Sequence, residues 1–146
     1  MAGGSGDDLI YGGSGDDLLY GETGNDVVKG EYDEASPVSL SCNDQISGDD
    51  GNDALSASGA NVQDGGPNQL YGGYGDDQLE GSDGPDSLSG GPGNDPVLFG
   101  AAGDDTIDGD DGDDQMSGGE GANDSCDGGN GTDAGYSDCE TVVGVP

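Results

Sequence analysis

Large aliphatic residues return along this chain at a spacing of nine. Ile10, Leu19, Val28, Ile46 and Leu55 keep that register, Leu79 and Leu88 resume the spacing after a shortened stretch, and Leu98, Ile107 and Met116 continue it one residue late. Each is the middle member of a three-residue segment such as LIY or LLY, and six residues rich in glycine and acid separate the segments. Three residues that alternate out, in, out make a short strand. Six residues with glycine where left-handed backbone is needed, and Asp or Asn beside them, make a tight turn. A turn plus a strand is half of a coil. Two units close one coil, and stacked coils bury a thin apolar column, as in other one-dimensional repeat folds.

The unit reads Gly-Gly-x-Gly-x-Asp-x-U-x, with U large and apolar. Residues 3–11 and 12–20 match it fully, and 21–29 lacks only the second glycine. Residues 30–38 keep the spacing but carry Ala35 at the sixth place and Pro37 at U, and 39–47 recovers Asp44 and Ile46. Residues 48–56 are regular. The stretch 57–71 is degenerate and divides into two shortened units that keep Val62 and Leu70. From 72 to 136 the pattern returns, with Gly135 at the last U place, and the final ten residues leave it. Alternate units then fall on alternate sides. One side is expected to stack Ile10, Val28, Ile46, Val62, Leu79, Leu98 and Met116. The other takes Leu19, Pro37, Leu55, Leu70, Leu88, Ile107 and Cys126. In the long unit either Val97 or Leu98 could face inward.

Charge changes this picture most. The chain of 146 residues holds 33 acids, one lysine and no arginine, for a net charge of -32, and only 28 % of it is hydrophobic. At ~25 cal/mol per Å2 of buried apolar surface, so thin a core is small against the ordering entropy of 34 glycines. Disorder is what such a composition ordinarily implies, but disordered acidic tails do not hold an apolar residue in fixed register. The charge excludes nucleic acid and anionic membrane as partners and calls for cations. No stretch approaches the ~20 apolar residues of a membrane span. No secretion leader is legible at Met1, so the chain reads as a mature domain.

The sixth-place acids are Asp8, Asp17, Asp26, Asp44, Asp53, Asp77, Asp86, Asp95, Asp105, Asp114, Asp124 and Asp133. Stacking sets each about 4.8 Å from its like on the following coil, where carboxylates repel unless a cation intervenes. With turn carbonyls beside them, the donors are all oxygen, which suits Ca2+ better than the tight octahedron of Mg2+. Zinc is disfavoured, because there is no His and the three Cys are scattered.

GGSGDDLIY, GGSGDDLLY and GGYGDDQLE resemble the repeats-in-toxin (RTX) nonapeptide family at every defined position. The resemblance covers about residues 3–136 and is weak at 30–42 and 57–71. It implies an all-β, right-handed parallel β-roll of about seven coils, several bound Ca2+ ions and folding coupled to them. The roll is expected over residues 1–136, with 137–146 a capping tail. Family members are secreted bacterial proteins, so a secreted, extracellular or cell-surface setting is implied. Carried over turn by turn, the sites pair Asp8 with Asp26 and Asp26 with Asp44 on one side. Farther along they pair Asp77 with Asp95, Asp95 with Asp114, and Asp114 with Asp133. On the other side Asp86 pairs with Asp105 and Asp105 with Asp124. Asp17 is expected to face the degraded turn at Ala35, and Asp53 to face Asn68, which makes those two sites weak. Fifth-place residues such as Asp7, Asp16 and Asn25 are expected to brace the turns.

Cys126 takes an inward place and Cys139 lies in the tail, so a disulfide between them would pin the tail across the last coil and stabilise by ~3 kcal/mol. Cys42, where the unit wants glycine, is then a free thiol. Outward places near the start are apolar (Leu9, Tyr11, Leu18, Tyr20, Val27), unlike later units. They are either scattered surface residues or a contact surface for an upstream domain or another copy of the chain. The expected function is a Ca2+-dependent structural or secretion-associated module. The alternative is a self-assembling surface fibre or adhesin segment. An ice-binding role is disfavoured by irregular outward residues. Catalysis is not expected, since there is no His and no activated nucleophile.

Overall fold

The computed structural model describes residues 1–31, 38–40, 42–58 and 62–143. Two parallel sheets face each other. Sheet I has eight strands, stacked in the order Ala2–Ser5, Leu18–Thr23, Gln45–Asp50, Gln69–Tyr74, Ser87–Pro92, Thr106–Asp111, Ser125–Asp127 and Thr141–Val143. Sheet II has seven, namely Leu9–Tyr11, Val27–Lys29, Ala54–Ser56, Gln78–Glu80, Val97–Ala102, Gln115–Glu120 and Ala134–Ser137. There is no helix among the described residues. This is a parallel β-roll. The chain alternates between the sheets at each glycine-rich turn.

The longer strands run from the end of one unit into the start of the next. Thr106–Asp111, TIDGDD, is exposed at Thr106 and Asp108 and buried at Ile107 and Gly109. The core is therefore an aliphatic residue at each U place, flanked by the first glycine and the sixth-place acid. In sheet I, Leu19, Ile46, Leu70, Leu88, Ile107 and Cys126 follow one another in register. In sheet II the column is Ile10, Val28, Leu55, Leu79, Leu98 and Met116. All are buried. Leu98 takes the inward place and Val97 is 42 % exposed.

The order of these columns corrects the expected one at two positions. Ile46 belongs to sheet I and Leu55 to sheet II, the reverse of the alternation counted from the sequence. Residues 30–47 make one half-coil rather than two, and so do 57–71. In each, the chain leaves the roll and returns to the same turn. The strands of the two excursions, Val38–Leu40 and Val62–Asp64, pair parallel with each other in a separate two-stranded sheet. Val62 is thus in neither main sheet. Ala35 and Pro37 lie outside the described residues. A unit with proline at U and no acid at the sixth place has neither the ladder donor nor the turn that would nucleate a half-coil. Because each excursion removes one unit from the count, the second restores the register, and Leu70 onward falls as expected.

The tail also differs from expectation. Thr141–Val143 continues sheet I, with Val142 in register with Cys126. Cys126 and Cys139, thirteen residues apart, are joined by a disulfide. Cys42 is buried and free. At the other end, Leu9 is 62 % and Leu18 47 % exposed on the outer faces.

Candidate metal centre

Each turn aims its sixth-place side chain inward, beside the first glycine of its own unit. On the sheet II side this stacks Asp8, Asp26, Asp53, Asp77, Asp95, Asp114 and Asp133. The backbone N–H of each donates to Oδ1 of the next, at 2.7–3.1 Å. On the sheet I side Asp17, Asp44, Asn68, Asp86, Asp105, Asp124 and Glu140 are joined the same way, at 2.7–2.8 Å. The pairs Asp8–Asp26, Asp77–Asp95–Asp114–Asp133 and Asp86–Asp105–Asp124 stand where the sequence put them. Asp26 does not meet Asp44; it meets Asp53. Asp17 meets Asp44, and Asp53 meets Asp77, so neither faces a degraded turn. The cause is the half-coil count of the two excursions.

Fifth-place residues form a second, outer ladder that runs the opposite way. Asn25 N–H donates back to Asp7 Oδ1 at 3.0 Å, Asn52 to Asn25 at 2.9 Å, Asp76 to Asn52 at 3.0 Å and Asn94 to Asp76 at 2.8 Å. These groups brace successive turns and leave the inner carboxylates to one another.

From the second turn of each column on, one oxygen of the inner carboxylate is thereby used. The other is not. Oδ2 of Asp8, Asp26, Asp44, Asp53, Asp77, Asp95, Asp105, Asp114, Asp124 and Asp133 is buried without a hydrogen-bond partner. Leaving a buried carboxylate oxygen unsatisfied is costly. The charged form suffers accordingly. Burial raises Asp44 and Asp95 from 3.8 to about 7 and Asp77, Asp105 and Asp114 to about 6, opposed by the backbone bond at Oδ1 and reinforced by neighbouring acids.

The space beside these oxygens is kept open by glycine. A Cβ at Gly72 would lie 2.5 Å from Asp77 Oδ2 and would also strike the carbonyl oxygen of Gly90. At Gly109 it would lie 2.6 Å from Asp114 Oδ2 and 2.8 Å from the Gly128 oxygen. A free carboxylate oxygen and a backbone carbonyl oxygen thus border one cradle, coil after coil. Among the described residues no three carboxylate or thiol side chains gather as a metal cluster. The donor set is one carboxylate with backbone oxygens, repeated, which fits a hard cation such as Ca2+.

Asp86 is an exception. Its Oδ2 accepts from Ser82 N–H at 2.5 Å and from the Ser82 hydroxyl at 3.1 Å. The Asn68 amide nitrogen lies 2.9–3.1 Å from oxygens of Asp64, Gly66, Ser82 and Asp86 and shares its two N–H groups among them. Here neutral donors occupy the position that elsewhere needs a cation.

Sequence reasoning missed Glu140 and Glu31. The segment CETVV imitates the second half of a unit, with Glu140 at the sixth place and Val142 at U, and that likeness was the available signal. Glu31 is 2 % exposed with Oε1 unpartnered, and nothing in its local sequence marks it.

Stacked acid turns with open oxygen cradles define a cation-binding solenoid. The profile of the RTX calcium-binding nonapeptide repeat matches this chain in four copies, over residues 1–30, 42–61, 64–95 and 97–125. The chain belongs to that family of calcium-binding β-roll repeats. No curated protein and no solved structure matches it significantly. The gap in the profile between 30 and 42 coincides with the first excursion. No helix among the described residues is long and apolar enough to cross a membrane.

Proposed function

We propose that this roll is a module that folds on Ca2+ outside the cell and there serves as a structural or secretion-associated element. The proposed ligands are Asp8, Asp26, Asp53, Asp77, Asp95, Asp114 and Asp133 on one side and Asp17, Asp44, Asp105 and Asp124 on the other, with turn carbonyls. Asp86 is proposed as a poor ligand, since Ser82 already occupies its Oδ2. The observation that carries the proposal is the row of buried Oδ2 atoms without partners. In a chain of net charge -32, that row gives the folded state a strong requirement for divalent cations. A bound Ca2+ supplies the missing positive charge. The first glycines keep the cradle open, and the Oδ1 ladder holds each carboxylate in one orientation.

Circular dichroism during a Ca2+ titration from chelator, with Mg2+ in parallel, tests this. A β spectrum that forms cooperatively with Ca2+ and not with equal Mg2+ is expected. A spectrum already folded in chelator at neutral pH would sink it.

One observation favours a further role in self-association. The outer faces of the first coils carry Leu9, Leu18, Tyr20 and Val27, all more than a third exposed. Light scattering against protein concentration in Ca2+ tests that reading, and strictly monomeric behaviour at high concentration removes it.

A further inference from the structure

We propose, resting on the Ca2+ reading of the cradles, that Glu31 is a second carboxylate ligand in the cradle of Asp44 and makes it the tightest Ca2+ site of the roll. The half-coil 30–47 has one inner turn. It begins at Gly30 and Glu31 and ends, after the first excursion, at Asp44, whose Oδ2 lies against Gly30. Glu31 therefore holds the second place of the turn whose sixth place is Asp44. The same column shows where a second-place side chain points. Two turns farther on, the Ser82 hydroxyl lies 3.1 Å from Asp86 Oδ2, the sixth-place oxygen of its own turn. It also lies 2.9 Å from the Asn68 amide nitrogen, at the sixth place of the turn before. By that register Glu31 faces Asp44 Oδ2 and Asp17. After burial itself, the Glu31 charge is the largest influence raising Asp44, ahead of Asp17 and Asp64.

The chemistry of the two second-place residues is opposite. A serine hydroxyl donates, so Ser82 closes the Asp86 cradle from within. An ionised carboxylate only accepts, so Glu31 cannot close the Asp44 cradle. Glu31 is 2 % and Asp44 1 % exposed, and Oε1 of one and Oδ2 of the other have no partner. A Cβ at Gly30 would strike both Asp44 Oδ2 and the carbonyl oxygen of Ala57, so a backbone oxygen borders the same space. The Cys42 thiol donates to the Glu31 carboxylate, which makes Cys42 a positioning residue and not a ligand. The repeat cradles offer one carboxylate with backbone oxygens, whereas this one offers two. Ca2+ affinity is set by the charge count of the ligands and the rigidity of the site, and both are greater here. One ion would also join Glu31, where the chain leaves the roll, to Asp44, where it returns.

The test loads the full chain with Ca2+ and follows release into excess Ca2+-sensitive chelating dye by stopped flow. Affinity differences between related sites show mainly in release rates. We expect one ion per chain to leave at least about tenfold more slowly than the rest. Glu31→Gln should release that ion with the others. Cys42→Ser keeps the hydrogen-bond donor and should keep the slow ion. Asp95→Asn should lose a fast ion and retain the slow one. A wild-type chain whose ions all leave at one rate would overturn the proposal, whether or not the variants fold. So would a slow ion undiminished in Glu31→Gln. Either result leaves Ca2+ binding by the repeat cradles standing, whereas a chain that takes up no Ca2+ removes both readings.

Discussion

The regular turns of the roll and the junction where Asn68 meets Ser82 and Asp86 solve the same problem in two ways. Around Asp95 and Asp114 each buried carboxylate keeps one oxygen without a partner, beside a glycine that holds the space open. Around Asp86 the chain fills that need itself, with the Ser82 hydroxyl and backbone and with the amide of Asn68, which touches four oxygens at once. The first arrangement leaves one oxygen per turn open to an outside cation or a proton. The second satisfies that oxygen from within, but it requires a residue-specific network that is not repeated down the column. The difference teaches that the regular acid turn leaves its chemistry open to a ligand, and that the Ser82 and Asn68 substitutions close it.

The largest expected effect comes from pH in the absence of Ca2+. Asp77, Asp105 and Asp114 titrate near 6 and Asp44 and Asp95 near 7 in the roll, against 3.8 for the free carboxyl. A folded-state value raised above the unfolded one favours the protonated roll. Its stabilising contribution is complete below about 4 and is lost as pH rises through 6 and 7. Circular dichroism in chelator should therefore show β structure gained on acidification toward pH 4 and absent at 7.5. With Ca2+ present the sign reverses, because the ion binds the ionised form, and affinity should fall as pH drops below 7. A chelated chain with no pH dependence between 4 and 7.5 would mean that the orphaned oxygens do not govern folding.

Next in size is Gly72→Val. The added carbon meets both Asp77 Oδ2 and the backbone oxygen of Gly90, and backbone cannot move aside cheaply. We expect a loss of about 3 kcal/mol or more in Ca2+-loaded stability, measured by urea denaturation. A comparable branched residue at the exposed Gln78 should change stability by less than ~0.5 kcal/mol.

How much of this was legible beforehand follows the same division. From residue 72 onward the motif keeps its period apart from two ten-residue units, 90–99 and 118–127, and the columns and ladder partners follow from spacing, as does the inward choice of hydrophobic residue except at Val97 and Leu98. Between 30 and 71 the period survives in Asp44 and Ile46 but counts wrongly, because nine-residue spacing does not say whether a weak unit closes a half-coil or loops away. That is decided by long-range pairing of Val38–Leu40 with Val62–Asp64, across a separation no local pattern encodes. Glu31 was invisible for a related reason, since its burial comes from the point where the chain departs from the roll.

Aspartate replacement sharpens the comparison directly. Asp95→Asn removes a charge from an open cradle, so it should lower Ca2+ affinity at that turn by at least about tenfold, ~1.4 kcal/mol. It should also ease folding in chelator, because it puts a neutral amide at the sixth place, as Asn68 stands in the other column. Asp86→Asn should change the Ca2+ isotherm far less, because Ser82 already donates to its Oδ2. Calorimetric titration of the two variants side by side checks this, and equal losses would erase the distinction between the two regions.

The smallest effect concerns the second place of the unit, where the backbone takes positive φ. Gly73, Gly91 and Gly119 stand there without strain, whereas Ala101 is held at φ 83°. A Cβ in the left-handed region costs roughly 1–2 kcal/mol, part of which returns through the lower entropy of the unfolded alanine chain. Ala101→Gly should therefore stabilise the Ca2+-loaded roll by about 1 kcal/mol, raising its urea midpoint without altering Ca2+ stoichiometry. Asp49 and Asp110 share the conformation at φ 72° and 69°, but each accepts a hydroxyl hydrogen bond, from Ser47 and Ser89 respectively. Asp49→Gly and Asp110→Gly should therefore gain less than Ala101→Gly. A gain at Asp110 equal to that at Ala101 would show that these side-chain bonds do not offset the strained backbone.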